Sequence, residues 1–224
     1  MAVGKLVPKD VRILRAAEEV FSRKGYDQTT LDEIVRIADT GKGTVYKYFK
    51  NKEMLFYTLV RQKNDELMVE LNAVYADHKS FQERMLGYAR TLVSFFYRNQ
   101  VLWAVLIFEI LTVSSGWQLR WNNETRTYDV ISRWGKPPTE QEKAVKIKFA
   151  ELFREEITVL KNILVDAENE NYIKKQMDPS IMAQNMYFSL MTTVMQGAVT
   201  PKNMDEAMAK FLDSFLYGHL IRQS

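Results

Sequence analysis

Residues 29–53, TTLDEIVRIADTGKGTVYKYFKNKE, decide how this chain folds. Thr30 and Glu33 have the Thr-x-x-Glu spacing of a capping box. In that motif the hydroxyl accepts from the third helical N–H, and the carboxylate reaches back to the cap. Leu31, Ile34, Val35 and Ala38 recur at i, i+3, i+4 and i+7, which is one apolar face of a helix. Asp39-Thr40-Gly41 breaks that helix with turn chemistry. Residues 42–49 restart it, with Val45 and Phe49 one turn apart and able to pack back on the first helix. Two short helices joined by so tight a turn form a helix-turn-helix, whose second member can lie in a DNA major groove.

The second helix is two-sided. At about 100° per residue, Lys42, Val45 and Phe49 cluster on one side, while Gly43, Thr44, Tyr46 and Lys47 spread over the other. A glycine inside a helix costs roughly 1 kcal/mol against alanine. Close approach of the Gly43 backbone to a phosphate or a base edge accounts for that cost. Thr44, Tyr46 and Tyr48 offer hydroxyls, and Lys42, Lys47, Lys50 and Lys52 offer charge. Such donors fix a protein on a phosphate backbone.

On these residues the chain resembles the TetR family of bacterial transcriptional regulators. The likeness is carried by Ile34 and Ala38, then Gly43-Thr44-Val45-Tyr46-Lys47-Tyr48-Phe49, then Asn51-Lys52-Glu53. The run over residues 11–26, from Val11-Arg12 through Ala16-Ala17 and Phe21 to Gly25-Tyr26, resembles the family's first helix. Similarity is clear over residues 10–60 and fades to architecture beyond them. Where the family usually shows Gly-Val-Ser before the recognition helix, this chain reads Asp39-Thr40-Gly41, so Thr40 or the Gly41 N–H must stand in for the serine. The resemblance implies base contacts from Lys42, Thr44 and Lys47. It implies phosphate contacts from Thr30, Tyr46, Tyr48 and Lys52, with Thr40, Gly41 and Gly43 at the same surface.

Composition agrees. Hydrophobic residues make up 46% of the 224 and aromatic residues 12%, enough for a sizeable core. The net charge is only +3 but is unevenly placed. Residues 1–63 hold 13 Lys/Arg against 8 Asp/Glu, a surplus of +5, and the remainder carries −2. A basic headpiece on a slightly acidic body suits one end meeting nucleic acid. Without cysteine there is no disulfide, thiol nucleophile or thiolate metal site. The start MAVGKLVPKD lacks the apolar core of a secretory signal. Residues 101–113, the most apolar run, are interrupted by Glu109 and fall short of the roughly 20 residues a membrane span needs. A cytoplasmic protein with no membrane partner, no cofactor and no metal is expected.

Nearly everything reads as helix, so the expected fold is all-α. A three-helix DNA-binding domain over residues 1–50 precedes a larger helical-bundle domain over residues 51–224 for ligand binding and dimerisation. The first helix covers residues 10–24 and stops at Gly25. Asn51 caps a long helix to about residue 76, shared by headpiece and body. Ser80 opens a helix to about Tyr97, and Asn99 opens the apolar segment that fades at Ser114-Ser115-Gly116. Residues 117–134 read as a helix with frayed ends, and no strand is expected. Pro137-Pro138 breaks the chain. Thr139 and Glu142 form a second capping box for a helix to about Asn169. Asp178-Pro179 starts a helix ending near Gly197. Asn203 and Glu206 cap the last, to about Leu220.

The last two helices carry wide apolar stripes, Met182, Met186, Leu190 and Val194 on one and Phe211, Leu212 and Phe215 on the other. Final helices pair with their copies in the TetR family, so the resemblance implies a homodimer through these residues. Aromatics concentrate over residues 95–134, and bundle interiors host apolar pockets with a few polar groups. Phe96, Trp103, Phe108, Trp117 and Trp121 are therefore expected to line a ligand site, with Glu109 orienting the ligand's polar end. Seven of the eleven methionines lie over residues 177–208, where their adaptable shape suits an interface or a pocket wall.

The resemblance implies a ligand-responsive regulator, a repressor by the family's commoner habit. It binds a palindromic double-stranded operator as a dimer and is released by a small apolar or aromatic molecule, of which a fatty acyl compound is one candidate. Control by a protein partner instead, and a helical lipid carrier without DNA binding, are the competing readings. Catalysis has little to stand on. There are two histidines, His78 and His219, no nucleophile motif, and no first glycine at Arg36 or Ile37 to make a phosphate loop of Thr40-Gly41-Lys42-Gly43-Thr44.

Overall fold

The computed structural model describes residues 7–77, 79–111, 116–132, 134–173 and 178–216. It is 72% helical. Among the described residues the order is α1 (Lys9–Lys24), α2 (Leu31–Ile37), α3 (Lys42–Phe49), α4 (Lys52–Ala76), α5 (Phe81–Arg98), α6 (Gln100–Leu111), β1 (Trp117–Asn122), β2 (Thr127–Ser132), α7 (Glu140–Asn169), α8 (Pro179–Met195) and α9 (Met204–Leu216). The chain divides into two compact units, Met1–Asn64 with Val101–Glu109, and Asp65–Gln100 with Ile110–Ser224.

The first unit is built on aromatic packing. Gly25 ends α1 with a φ of 74°, and its N–H returns to the Phe21 carbonyl. This delivers Tyr26 beside Phe21 at 5.9 Å between ring centres, and the Phe56 ring of α4 stands edge-on to both, at 4.9 and 5.1 Å. Ile13, Val20, Phe21, Ile34, Val45 and Phe56 are all essentially inaccessible to solvent. Thr30 caps α2 by accepting from the Glu33 N–H. The reciprocal half of that box is not formed. Glu33 instead takes Arg23 and Lys24 at 2.5 and 2.6 Å, because the end of α1 brings two cations to it. The Lys24 ammonium, more than any other group, holds the Glu33 carboxyl below the usual carboxylate range. Asn51 accepts from the Met54 N–H and so opens α4 as its position suggests.

The second unit is a bundle of α5, α7, α8 and α9 with a two-stranded appendage. Two complete capping boxes, Ser80 with Glu83 and Thr139 with Glu142, start α5 and α7. Asp178 caps α8 with Pro179 at its first position. Arg84, nearly buried on α5, reaches Asp166 of α7 at 3.2 Å. Two expected helix starts are differently used. Asn99 closes α5 rather than opening α6, its side-chain amide donating to the Phe95 carbonyl at 2.9 Å. The Asn203 carboxamide accepts from the Thr200 N–H at 2.7 Å and so fixes the turn before α9, while Glu206 pairs with Lys210. Leu220, the expected end of the last helix, lies outside the described residues, as do His78 and His219.

Residues 117–132 are an antiparallel hairpin, not a helix. Trp117 faces Ser132, and Trp121 faces Tyr128 in the register. The residues alternate with period two, Trp117-Leu119-Trp121 against Tyr128-Val130-Ser132, and β-branched and aromatic side chains favour a pleated surface. Paired Trp121 and Tyr128 rings meet edge to face at 5.0 Å. The Asn122 side chain accepts from the Glu124 and Thr125 N–H groups and folds the connection. At the base, Gly116 has a φ of 75°, and a β-carbon there would lie 2.0 Å from the Trp134 carbonyl oxygen. Only glycine lets the two ends close.

Candidate functional site

The outer face of α3 gathers the residues singled out from the sequence. Val45 and Phe49 are buried and anchor the helix, which turns Lys47 out to solvent together with Tyr46 and Tyr48, each about half exposed. Gly41, Lys42 and Gly43 are exposed at the start of the helix, and Thr44 and Thr40 are half-buried beside them. Gly41 is the N-cap, and no side chain caps the helix there, so the serine of the family pattern has no side-chain substitute within the chain. Nothing lies within 4 Å of where a Gly43 β-carbon would stand, so internal packing gives no reason for glycine at that position.

The turn before α3 is held by charge and by backbone. Asp39 takes a φ of 48°, a conformation that aspartate tolerates better than most residues. Arg12 of α1 grips it, donating to its carbonyl at 3.3 Å and standing 3.6 Å from its carboxylate. Lys42 pairs with Asp32 of α2 at 2.7 Å, and that hydrogen bond raises its pKa. Thr30 is exposed and spends its oxygen on the α2 cap. Lys52 stands apart from the other sequence-selected residues. Its ammonium donates to the carbonyls of Tyr26 and Thr29, at 2.9 and 3.1 Å, and lies 4.4 Å over the Tyr26 ring. It ties the α1–α2 connection to α4.

Of the residues expected to form a ligand site, Phe96, Trp117 and Trp121 are described in the second unit, and of these Trp121 lines its groove. Phe96 is buried against Tyr187, and Trp117 lies beneath Lys146 at 4.4 Å. Trp103 is buried in the first compact unit. The Phe108 and Glu109 side chains lie outside the described residues. Trp121 does face a cavity. This groove, of about 310 Å³, is bounded by the hairpin, α7 and α8, with Trp121, Tyr128, Phe153 and Phe188 as walls. Lys146, Arg154 and Lys161 of α7 also line it. An inward apolar face of α7 does not reveal these cations, but their spacing of eight and seven residues puts all three on one stripe.

Deeper in the second unit, Glu156 of α7 is completely buried. The Tyr187 hydroxyl donates to its Oε2, and the Tyr88 hydroxyl donates to its backbone carbonyl at 3.0 Å. Burial pushes the Glu156 carboxyl up to about 8, against the opposing pull of the Tyr187 hydroxyl. A neutral acid is how a bundle core avoids an uncompensated charge.

The apolar stripe of α8 also serves its own chain. Met182, Met186, Leu190 and Val194 are each less than 5% exposed in a single chain, so they close the bundle core and are not available to a second copy. The face left open on α8 carries Ile181 and Met195, each about half exposed. On α9, Leu212 is buried, while Phe211 and Phe215 are half-buried and stacked at 5.8 Å. Among the described residues there is no cluster of three metal-ligating side chains, and no helix long and apolar enough to cross a membrane.

Residues 13–58 match the model of the family described as bacterial regulatory proteins, tetR family. Over 63 residues the chain is 44% identical to the uncharacterized HTH-type transcriptional regulator YhgD of Bacillus subtilis, covering 25% of this chain and 33% of that protein. Over 78 residues it is 31% identical to the fatty acid metabolism regulator protein of the same organism, covering 35% of this chain and 40% of that one. It thus spans less than two thirds of the length of these relatives. Among solved structures, the fatty acid degradation regulator FadR from Bacillus halodurans aligns with a TM-score of 0.67 at 17% identity, over 93% of this chain and 98% of that one. FadR from Bacillus subtilis in complex with stearoyl-CoA aligns at 0.66 and 21%, over 93% and 98%. At these identities the structures speak for the fold.

Proposed function

This chain belongs to the TetR family of bacterial regulatory proteins, and from that premise we propose that it is a ligand-responsive transcriptional repressor. In this reading it acts in the cytoplasm and binds a palindromic operator as a homodimer. It is a binding protein rather than an enzyme. The observation that carries the reading is the outer face of α3, where Tyr46, Lys47 and Tyr48 are exposed over buried Val45 and Phe49. Lys47 and Thr44 are assigned to base edges. Tyr46, Tyr48 and the open amides at Gly41 and Gly43 are assigned to phosphates, which need donors rather than shape. Lys42 reaches DNA only by exchanging Asp32 for a phosphate. The dimer forms through the open face of α8, at Ile181 and Met195, together with Phe211 and Phe215 of α9.

The effector is a small apolar or aromatic molecule bound in the second unit. A fatty acyl compound is supported by a relative named for fatty acid metabolism and by a fold neighbour solved with stearoyl-CoA. Its action follows from linkage. A ligand that binds the DNA-incompetent state better shifts the population by its differential affinity, and no more. Helix α4, whose residues are shared between the two units, is the element through which the shift passes.

The test is binding of the full chain to the DNA flanking its own gene at two salt concentrations. Tight binding to one segment that weakens steeply with salt is expected. Equal affinity for that segment and for random DNA would remove the regulator reading.

A further inference from the structure

We infer that the groove beneath the hairpin is a binding site for an amphipathic anion, a carboxylate carried on a long apolar tail. The inference rests on the effector reading above and adds to it the site, the charge of the ligand and its shape. Lys146, Arg154 and Lys161 line the groove, and no Asp or Glu does. Arg154 is committed: its guanidinium pairs with Glu151 at 2.7 Å and stacks on Trp121 at 4.4 Å. Lys161 is half-buried at the other end of the lining and has no ion-pair partner among the described residues. The carboxylate at the edge, Glu151, is held by Arg154, so the half-buried Lys161 ammonium faces a lining that offers it no carboxylate and is a site for a carboxylate or a similar anion.

Shape follows from helix geometry. Lys146 and Lys161 stand fifteen residues apart on α7, which at about 1.5 Å rise per residue spans roughly 22 Å. Between them α7 presents Ala150, Phe153 and Ile157 to the groove, and Phe188 of α8 adds to this apolar floor. Trp121 and Tyr128 of the hairpin wall it on the other side. Such a trough takes an extended chain lying along α7 better than a compact ring system. At about 310 Å³ it stands at the small end of ligand pockets, so one chain fills it. The hairpin supplies a wall of the site, which gives those sixteen residues a function beyond connecting α6 to α7.

Three probes of equal length and different charge test the proposal by calorimetry on the full chain, below their micelle concentrations: dodecanoate, dodecan-1-ol and dodecylamine. Dodecanoate is expected to bind about tenfold tighter than the alcohol, the size of one charge-assisted hydrogen bond, and the amine weakest. Lys161→Gln should abolish the preference of acid over alcohol, and Lys161→Arg should restore it. Trp121→Ala should weaken both ligands together, with circular dichroism showing the helices retained. Equal binding of acid and alcohol, tighter binding of the amine, or an unchanged preference in Lys161→Gln would each overturn the site. Operator binding of the same samples separates the two readings. Dodecanoate bound without any change in operator affinity leaves the anion site standing and removes its role as effector site. An operator response to dodecanoate that survives Lys161→Gln does the reverse.

Discussion

The segment around α3 and the segment around α7 are both helical, both rich in lysine and aromatics, and they use those residues in opposite ways. In the first, two small anchors, Val45 and Phe49, are buried and everything chemical points outward. In the second, the polar chemistry is turned inward or sideways. Glu156 is sealed in the core, and the cations line a groove that exists only because the hairpin stands beside it. A surface meant for a large rigid partner can be written on one helix. A cavity for a small flexible molecule needs walls from several elements, so its residues are scattered through the chain.

The contrast can be attacked first through stability. Phe21→Ala removes the ring at the centre of the first unit's aromatic packing and should cost about 3–5 kcal/mol in urea unfolding. A loss below 1 kcal/mol would show that the headpiece core does not rest on that ring. The inward chemistry of α7 is tested by pH. Glu156 is held near 8 when folded and returns to the usual carboxylate range when unfolded, so the native state binds the extra proton. Its contribution is therefore fully present below about pH 4.5 and is lost as pH rises through 8. Urea midpoints should fall over that window, and Glu156→Gln should remove the slope; a slope unchanged in the variant would mean that another group causes it.

Two smaller effects probe the outward chemistry of α3. Lys47→Ala should weaken operator binding by about tenfold or more while leaving the thermal midpoint in place, since a good base contact is worth about 1–3 kcal/mol. An unchanged affinity would take Lys47 off the interface. Gly43→Ala should move stability and binding in opposite directions. The empty space around its β-carbon predicts a gain of up to about 1 kcal/mol in stability, and lost close approach predicts weaker DNA binding. A variant that gains stability and keeps its affinity would show that DNA does not come close at that position.

The helix-turn-helix was legible because its signals are local. Thr30, the Asp39-Thr40-Gly41 turn and the Val45/Phe49 pair each act within a few residues, and capping and periodicity report them directly. The same locality made the starts of α4, α5, α7 and α8 legible. The hairpin, expected as a helix, is harder to read because aromatics crowd residues 117–134 and its period of two is spread over only six residues per strand. Glu33 satisfies a spacing rule but finds better partners in space, Arg23 and Lys24, while the Asn203 side chain accepts from the Thr200 N–H within its own turn.

Sequence by itself determined the helical class, the headpiece and the outer face of its second helix, since hydrogen bonds between near neighbours and a 3.6-residue period are written in order along the chain. Tertiary structure alone decided which apolar stripes are spent inside one chain. Met186 and Leu190 look like an interface until α5 and α7 are packed against them. It also decided that Glu156 is neutral and that Lys161 faces a groove. Burial and electric field depend on what lies across the gap, and the chain records that only when folded.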